Sequence, residues 1–341
     1  MGRRIAPERT STAFTSVDFD RPGKQVGFVM FPHSPHDDAW GVTRVPIAIV
    51  NNGTGPTVFI EGGNHGDEYE GPIVISEMIR DLDPGAIEGR LILMPANNVH
   101  AVLGGRRTSP VDGLNFNRTF PGDPRGSITQ QISAYVSDEI FPRADAFIDL
   151  HSGGSSLVMI PSAIIEPTDD KELHRRNVAA VRAFGAPLTV VIGNLGDPRT
   201  STASSCRAGL VTVGTEMGGG GTVSPEALAI CRRGVTNVLA HLGVLPPEKA
   251  EQPSVDGRVM ELPGPLAYVF ATMDGIFEPF HAHGEEVRAG DPAGRIHTPW
   301  DPARPPETLT YQADGILYGK RQPGRVRPGN CCCVVAAPYR D

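Results

Sequence analysis

Residues 57–83 read TVFIEGGNHGDEYEGPIVISEMIRDLD. The apolar run Thr57–Ile60 is a buried-strand pattern. Residues 72–83 carry helical spacing, with Pro72 suited to a first turn. Between them lies a polar, glycine-rich loop, GGNHGDEYEG, from Gly62 to Gly71. It holds His65 and Glu68 three residues apart, with Asp67 between them. A strand that passes through such a loop into a helix is a unit of an α/β layer. In open α/β sheets, ligands bind at the carboxyl ends of strands, which is where this loop sits.

The alternation continues outward. QVGFVMF (25–31) and GVTRVPIAIV (41–50) are β-type runs before it. After it, GRLILMPANN (89–98) reads as a strand, SITQQISAYVSDEIFPRA (127–144) as a helix and DAFIDLHSGG (145–154) as a strand. DDKELHRRNVAAVRAFG (169–185) reads as a helix, and GLVTVGTEMGGGG (209–221) as a strand entering a glycine loop. SPEALAICRRGVTNVLAHLG (224–243) is a helix with Ser224 as N-cap and Pro225 at its first position. Strands and helices alternating over residues 50–243 predict an α/β domain with a largely parallel or mixed sheet.

The expected organisation is a lead-in over 1–25, an α/β domain over 26–245, a proline- and charge-rich linker over 246–257 and a β domain over 258–341. The last segment holds a weak repeat. Asp274-Gly275-Ile276 aligns with Asp314-Gly315-Ile316, and Val287-Arg288-Ala289-Gly290 with Val326-Arg327-Pro328-Gly329. Two such halves predict a small barrel or sandwich that looks like the barrel of lipoyl and biotinyl carriers. No lysine occupies an M-K-M-like turn, so the segment reads as scaffold or lid.

Composition bounds the function. The 341 residues are 39% apolar and 21% charged, with net charge −8, as in a globular protein. An acidic chain has no electrostatic support for binding nucleic acid. No run of about 18 apolar residues marks a membrane span. The start, MGRRIAPERTSTAF, lacks the apolar segment of a secretory signal. Cys331, Cys332 and Cys333 are consecutive, not in the spaced pairs of a zinc knuckle, and read as small apolar residues on a strand. A cytoplasmic setting fits these cysteines, and a homo-oligomer is compatible with the composition.

His and a carboxylate are normal zinc ligands, and a catalytic site uses three protein ligands plus an open position. H-E-x-x-H is absent, and H-x-x-E-H would need histidine where Tyr69 stands. A third ligand must come from elsewhere. His151 ends the apolar run AFIDL, just as His65 follows TVFIEGG. Asp149, two residues earlier on the same strand face, is placed to orient its ring. A pair of buried histidines hydrogen-bonded to carboxylates would show the same pattern.

Three more polar clusters stand out. Asn117-Arg118, in NFNRTFPG, offers an amide and a guanidinium fork suited to a substrate carboxylate, or to loop carbonyls. One of Arg106 and Arg107 could polarise a carbonyl, or serve as a solvated loop charge. Glu216 follows a strand and precedes four glycines. It is placed as the base for a metal-activated water, or as a cap on the glycine-loop amides.

In order, NHGDEYEGP, RRTSPVDGLNFNRTFPG, DLHSGG and TEMGGGG, with a β-rich tail, resemble the succinylglutamate desuccinylase/aspartoacylase family, relatives of the zinc carboxypeptidases. The resemblance spans about residues 40–335. It implies a three-layer α/β/α zinc-carboxypeptidase-like core with a mixed sheet and a β domain near the site. It implies one zinc ion per chain on His65, Glu68 and His151, Arg107 at the scissile carbonyl, Asn117 and Arg118 on the substrate carboxylate, and Glu216 as acid and base. Arg107 is preferred over Arg106 for its R-x-x-P spacing to Pro110. FPHSPHDDAWGVTRVPIAIV with GGNHGDEYEGP looks closest to the ectoine-degradation branch, the N-α-acetyl-L-2,4-diaminobutyrate deacetylases. Phe116 departs from the family's N-L-N-R without removing a functional group. The implied activity is zinc-dependent hydrolysis of a small N-acyl amino acid, with Asp197 as candidate partner for the side-chain ammonium. The alternatives are desuccinylase, aspartoacylase or carboxypeptidase chemistry, for which Arg199 and Arg207 are available, and a non-catalytic metal-binding scaffold.

Overall fold

The computed structural model describes residues 11–251 and 257–339. Within them, the opening stretch becomes a strand, a loop and a helix. The core sheet runs through β1 (Gly23–Pro32), β2 (Val42–Asn52), β3 (Thr57–Gly62), β4 (Gly89–Met94), β5 (Ala146–Leu150), β6 (Ser162–Ile165), β7 (Leu188–Val191) and β8 (Val211–Glu216). Their order across the sheet is β1-β2-β4-β3-β5-β8-β6-β7. β4, β3, β5 and β8 are mutually parallel, and β8 meets β6 antiparallel, so the sheet is mixed.

Alternation along β5 explains the layers. Ala146, Ile148 and Leu150 point into one core, where α1 (Glu70–Asp81) supplies Val74 and Ile75. Phe147 points into the other, with Phe59, Ile128, Ile132 and Tyr135. The helices in chain order are α1, α2 (Val99–Gly104), α3 (Ile128–Tyr135), α4 (Lys171–Phe184), α5 (Ser201–Arg207) and α6 (Pro225–His241). α1, α4 and α6 cover the first face, while α3 and α5 cover the second. Each large side chain so buried contributes about 1.5–3 kcal/mol of transfer free energy. Asp149 shares the face of Phe147, beneath α5. A carboxylate at the carboxyl end of a fully buried strand marks where packing gives way to chemistry.

The helix expected over 127–144 is broken. α3 is followed by a π turn, Val136–Ile140, and a 3-10 turn, Phe141–Arg143. Pro142 has no N–H to continue the ladder, which accounts for the unwinding. Within the expected lead-in, Phe14–Thr15 pairs with Met30 and Val29 of β1, and residues 1–10 lie outside the described residues. In the expected linker, Pro247–Lys249 forms a 3-10 turn, and residues 252–256 lie outside the described residues.

The C-terminal repeat is an interleaved pair. Gly275–Pro279 pairs with Arg325–Val326, whereas Gly315–Arg321 pairs with Glu286–Val287. Each V-R-x-G strand therefore completes the sheet of the other copy. Tyr268–Phe270 joins Cys331–Pro338 in the same exchanged way, and Glu307–Thr310 joins Pro292–His297. Cys332 and Cys333 are fully buried in the resulting core.

Two seams tie this segment to the core strands. β9 (Arg258–Glu261) pairs with β7 on one side and with Cys331–Pro338 on the other. Leu157–Met159 pairs with Gly315–Arg321. Tyr318, from that strand, bonds Ser162 of β6 at 2.6 Å between hydroxyls.

Candidate metal centre and active site

The loop after β3 is pinned from several sides. Gly66 donates its N–H to the Arg106 carbonyl at 2.9 Å. A Cβ on Gly66 would lie 1.9 Å from the Ala101 carbonyl oxygen, so only glycine fits against α2. Asp67 turns away from His65 and accepts from the N–H and the hydroxyl of Ser155, each at 2.7 Å. It ties this loop to the SGG loop after β5. Below, Glu61 is buried and accepts from Asn64 and Asn97. Burial, with the charge of Asp149, raises its carboxyl well above the usual range.

His65, Glu68 and His151 then converge. Glu68 Oε1 lies 2.7 Å from Nδ1 of His65, and Oε2 lies 2.8 Å from Nδ1 of His151. One ligand atom from each lies within 4.8 Å of the others, and each residue is buried. The outward ring nitrogens are held: His65 Nε2 by Asn115 Oδ1 at 3.0 Å, His151 Nε2 by Asp149 Oδ2 at 3.0 Å. Two imidazoles and a carboxylate aimed inward, with their outer atoms braced, suit a divalent cation. Burial alone would raise the Glu68 carboxyl, but His65 and His151 together outweigh it and hold it well below its usual value. Burial lowers His65. For His151, burial is outweighed by Asp149 and Glu68, which raise it well above its usual value.

The same cavity is lined by Arg107, Asn117, Arg118 and Glu216. Arg107 turns into it, with Nη1 3.4 Å from Glu68 Oε1. Asn117 Oδ1 is taken by the N–H of Ser201 at 2.8 Å, which leaves the amide NH2 as its group for an anion. Arg118 is half-buried, its Nη1 donating to the Asn117 carbonyl at 2.6 Å. Glu216 stands at the end of β8. Its Oε2 is shielded from solvent and has no hydrogen-bond partner among the described residues. Burial, reinforced by the Glu68 charge, pushes its pKa up to about 8.

Asp197 lies elsewhere. It lines an outer cleft with Asp169 and Arg207, which borders the central cavity at Glu166, and it is not in the wall of the central cavity. Its carboxylate takes Nε and Nη2 of Arg199 at 2.9 and 2.8 Å and approaches Nε of Arg118 at 3.3 Å. A carboxylate shared by two guanidinium groups holds the Arg118 loop and is no free partner for an ammonium.

The sequence reading passed over Asn115, Ser201, Thr202 and Glu166. Glu166 lines the central cavity and is 7% exposed. It follows the apolar run SAII just as His151 follows AFIDL and Glu216 follows VTVGT. A strand-terminal acid was the available signal, but β6 is too short to show its own periodicity.

With this geometry in place, likeness to known proteins has a clear meaning. Residues 54–242 match the succinylglutamate desuccinylase/aspartoacylase catalytic domain. Over 336 residues, 98% of each protein, the chain is 37% identical to the N-alpha-acetyl-L-2,4-diaminobutyric acid deacetylase of Halomonas elongata. The product-bound ectoine utilization protein EutE (DoeB) of Ruegeria pomeroyi superposes with a TM-score of 0.92 at 35% identity, over 96% of this chain and 99% of that one. A succinylglutamate desuccinylase/aspartoacylase of Rhodobacter sphaeroides gives a TM-score of 0.90 at 43% identity, over 96% and 100% of the two chains. This chain belongs to the succinylglutamate desuccinylase/aspartoacylase family.

Proposed function

We infer that this chain is a zinc-dependent amidohydrolase that converts N-α-acetyl-L-2,4-diaminobutyrate to acetate and L-2,4-diaminobutyrate, a step of ectoine degradation. The observation that carries the reading is the convergence of His65, Glu68, His151, Arg107, Asn117, Arg118 and Glu216 on one cavity in a chain so similar to the Halomonas elongata deacetylase.

His65, Glu68 and His151 hold the zinc ion. When bound, zinc lowers the pKa of a water to about 7 and polarises a carbonyl as a Lewis acid. Asn117 and Arg118 clamp the substrate α-carboxylate, the amide donating one bond and the guanidinium presenting its planar fork. The clamp sets the scissile amide beside Arg107. Arg107 donates to the acyl oxygen and stabilises the negative charge that develops there. Glu216 accepts the proton of the attacking water on its unpartnered oxygen and returns it to the leaving α-nitrogen. A buried carboxylate with a free oxygen beside the site is placed for both halves of that transfer.

Desuccinylase or aspartoacylase activity is the second reading, favoured by the Rhodobacter sphaeroides relative. An additional substrate carboxylate would need another guanidinium in the cavity. Arg199 is 61% exposed at its side chain and tied to Asp197, and Arg207 lies in the outer cleft. A cytoplasmic setting, with the five cysteines free, belongs to the same proposal. No described helix is long and apolar enough to cross a membrane. Removing metal with a chelator should abolish acetate release and zinc should restore it; full activity in metal-free protein overturns the reading.

A further inference from the structure

We propose that Glu166 is the counter-ion for a positively charged substrate side chain, reached from the catalytic groups through a passage that Gly214 keeps open. The inference rests on the deacetylase reading and names a partner for the part of the substrate that Arg107, Asn117, Arg118 and Glu216 leave unbound.

The strand register lays out the passage. Glu216 pairs with Ser162 and Gly214 with Ile164 across β8 and β6. Continuing the alternation past Ile165 puts Glu166 on the face of Ser162 and Ile164, in a row leading away from Glu216. Gly214 also pairs with Asp149 of β5, so this row lies on the face that carries the metal-site braces. At about 3.3 Å per residue, Gly214 stands about 7 Å along the strand from Glu216.

Gly214 has no side chain to fill the space facing Ile164 and Thr202. A Cβ there would lie 3.2 Å from Cβ of Ile164 and 3.6 Å from Cγ2 of Thr202. Ile164, Ile192 and Thr202 line the cavity with Glu166, which also borders the outer cleft behind it. Apolar walls leading to one carboxylate fit a methylene chain tipped with an ammonium.

Glu166 is unspent. Its Oε2 accepts from the Thr202 hydroxyl at 2.8 Å, and among the described residues no ion pair engages it. Burial pushes the Glu166 carboxyl up to about 7, outweighing the Thr202 hydrogen bond and the charge of Arg207. Buried carboxylates are normally paired. The cavity is therefore bipolar. Arg107 and Arg118 supply positive charge at the acyl and carboxylate end, and Glu166 supplies negative charge at the side-chain end. That arrangement selects a zwitterionic N-acyl amino acid with a short cationic side chain and disfavours succinyl or aspartyl groups.

The test is the ratio of kcat/KM for N-α-acetyl-L-2,4-diaminobutyrate to that for N-acetyl-L-norvaline, which replaces the ammonium with a methyl group. Loss of one charge-assisted contact in E166Q should lower this ratio by about 10- to 100-fold, mostly through KM on the diamino substrate. The amide keeps an oxygen for Thr202, and a melting curve checks the fold. In G214A the ratio for the diamino substrate over N-acetyl-L-alanine should fall, because only the longer side chain must pass. A ratio unchanged by E166Q in an otherwise active enzyme overturns the inference and leaves the deacetylase reading standing. A wild type that releases acetate from none of these substrates overturns the deacetylase reading itself.

Discussion

Nε2 of His151 lies 3.0 Å from Oδ2 of Asp149, two residues back on a strand that is buried along its length. The Ser201 hydroxyl donates to the same carboxylate oxygen. The carboxylate therefore fixes the ring with Nδ1 facing Glu68. Orienting partners of this kind typically matter 10- to 100-fold in metal affinity. Asp149→Asn should weaken zinc binding by about that factor, read by competition with a chromogenic chelator. Unchanged affinity would mean that packing alone orients His151.

Glu216 lines the same cavity as His65, Glu68 and His151, and its Oε2 has no hydrogen-bond partner among the described residues. Glu216→Gln preserves volume and removes the proton acceptor. Zinc content should match the wild type, while the rate of acetate release should fall by about 10²–10⁴-fold. A rate close to wild type would take the acid–base role away from Glu216.

Tyr318 and Ser162 join the C-terminal β segment to the core strands by a fully buried hydroxyl pair. Tyr318→Phe leaves the Ser162 hydroxyl without its partner and should cost about 1–3 kcal/mol in urea unfolding. Adding Ser162→Ala should recover part of that loss, because no orphaned group then remains. Strictly additive losses would show that the pair is not coupled.

Glu166 also makes stability depend on pH. Its carboxyl is raised from an ordinary 4.5 to about 7 by burial, which outweighs the Thr202 bond and Arg207. The folded chain holds this proton more tightly than the unfolded chain. The resulting stabilisation is complete below about 4.5 and is lost as pH rises through about 7. Glu166→Gln has no such proton. Its stability relative to wild type should rise between about pH 5 and pH 8, by on the order of 2–3 kcal/mol. A difference that stays flat over that range would show Glu166 to be paired in solution.

Much of this was legible in the chain because long elements advertise themselves. The strand ending at Gly62, the helix capped by Ser224 and the exchanged repeat halves all carry periodicity or end signals over many residues. His65, Glu68, His151 and Glu216 stand at strand ends, where the fold class itself directs attention. What escaped was short or tertiary. β6 and β7 have four residues each, too few for a pattern, and with β6 went Glu166. Asp197 looked like a free acid because its sequence neighbourhood is polar. Only the fold shows that Arg199 and Arg118 already share it. Asn115 and Ser201 act as braces through contacts 50 and 52 residues apart, which no local spacing reveals.

The most direct measurement is acetate release by the zinc-loaded chain, assayed side by side on N-α-acetyl-L-2,4-diaminobutyrate, N-acetyl-L-aspartate and, through succinate release, N-succinyl-L-glutamate. A strong preference for the diamino substrate, lost on chelation and recovered with zinc, is the expected result. Preference for either anionic substrate, or turnover that does not depend on metal, would contradict the assignment.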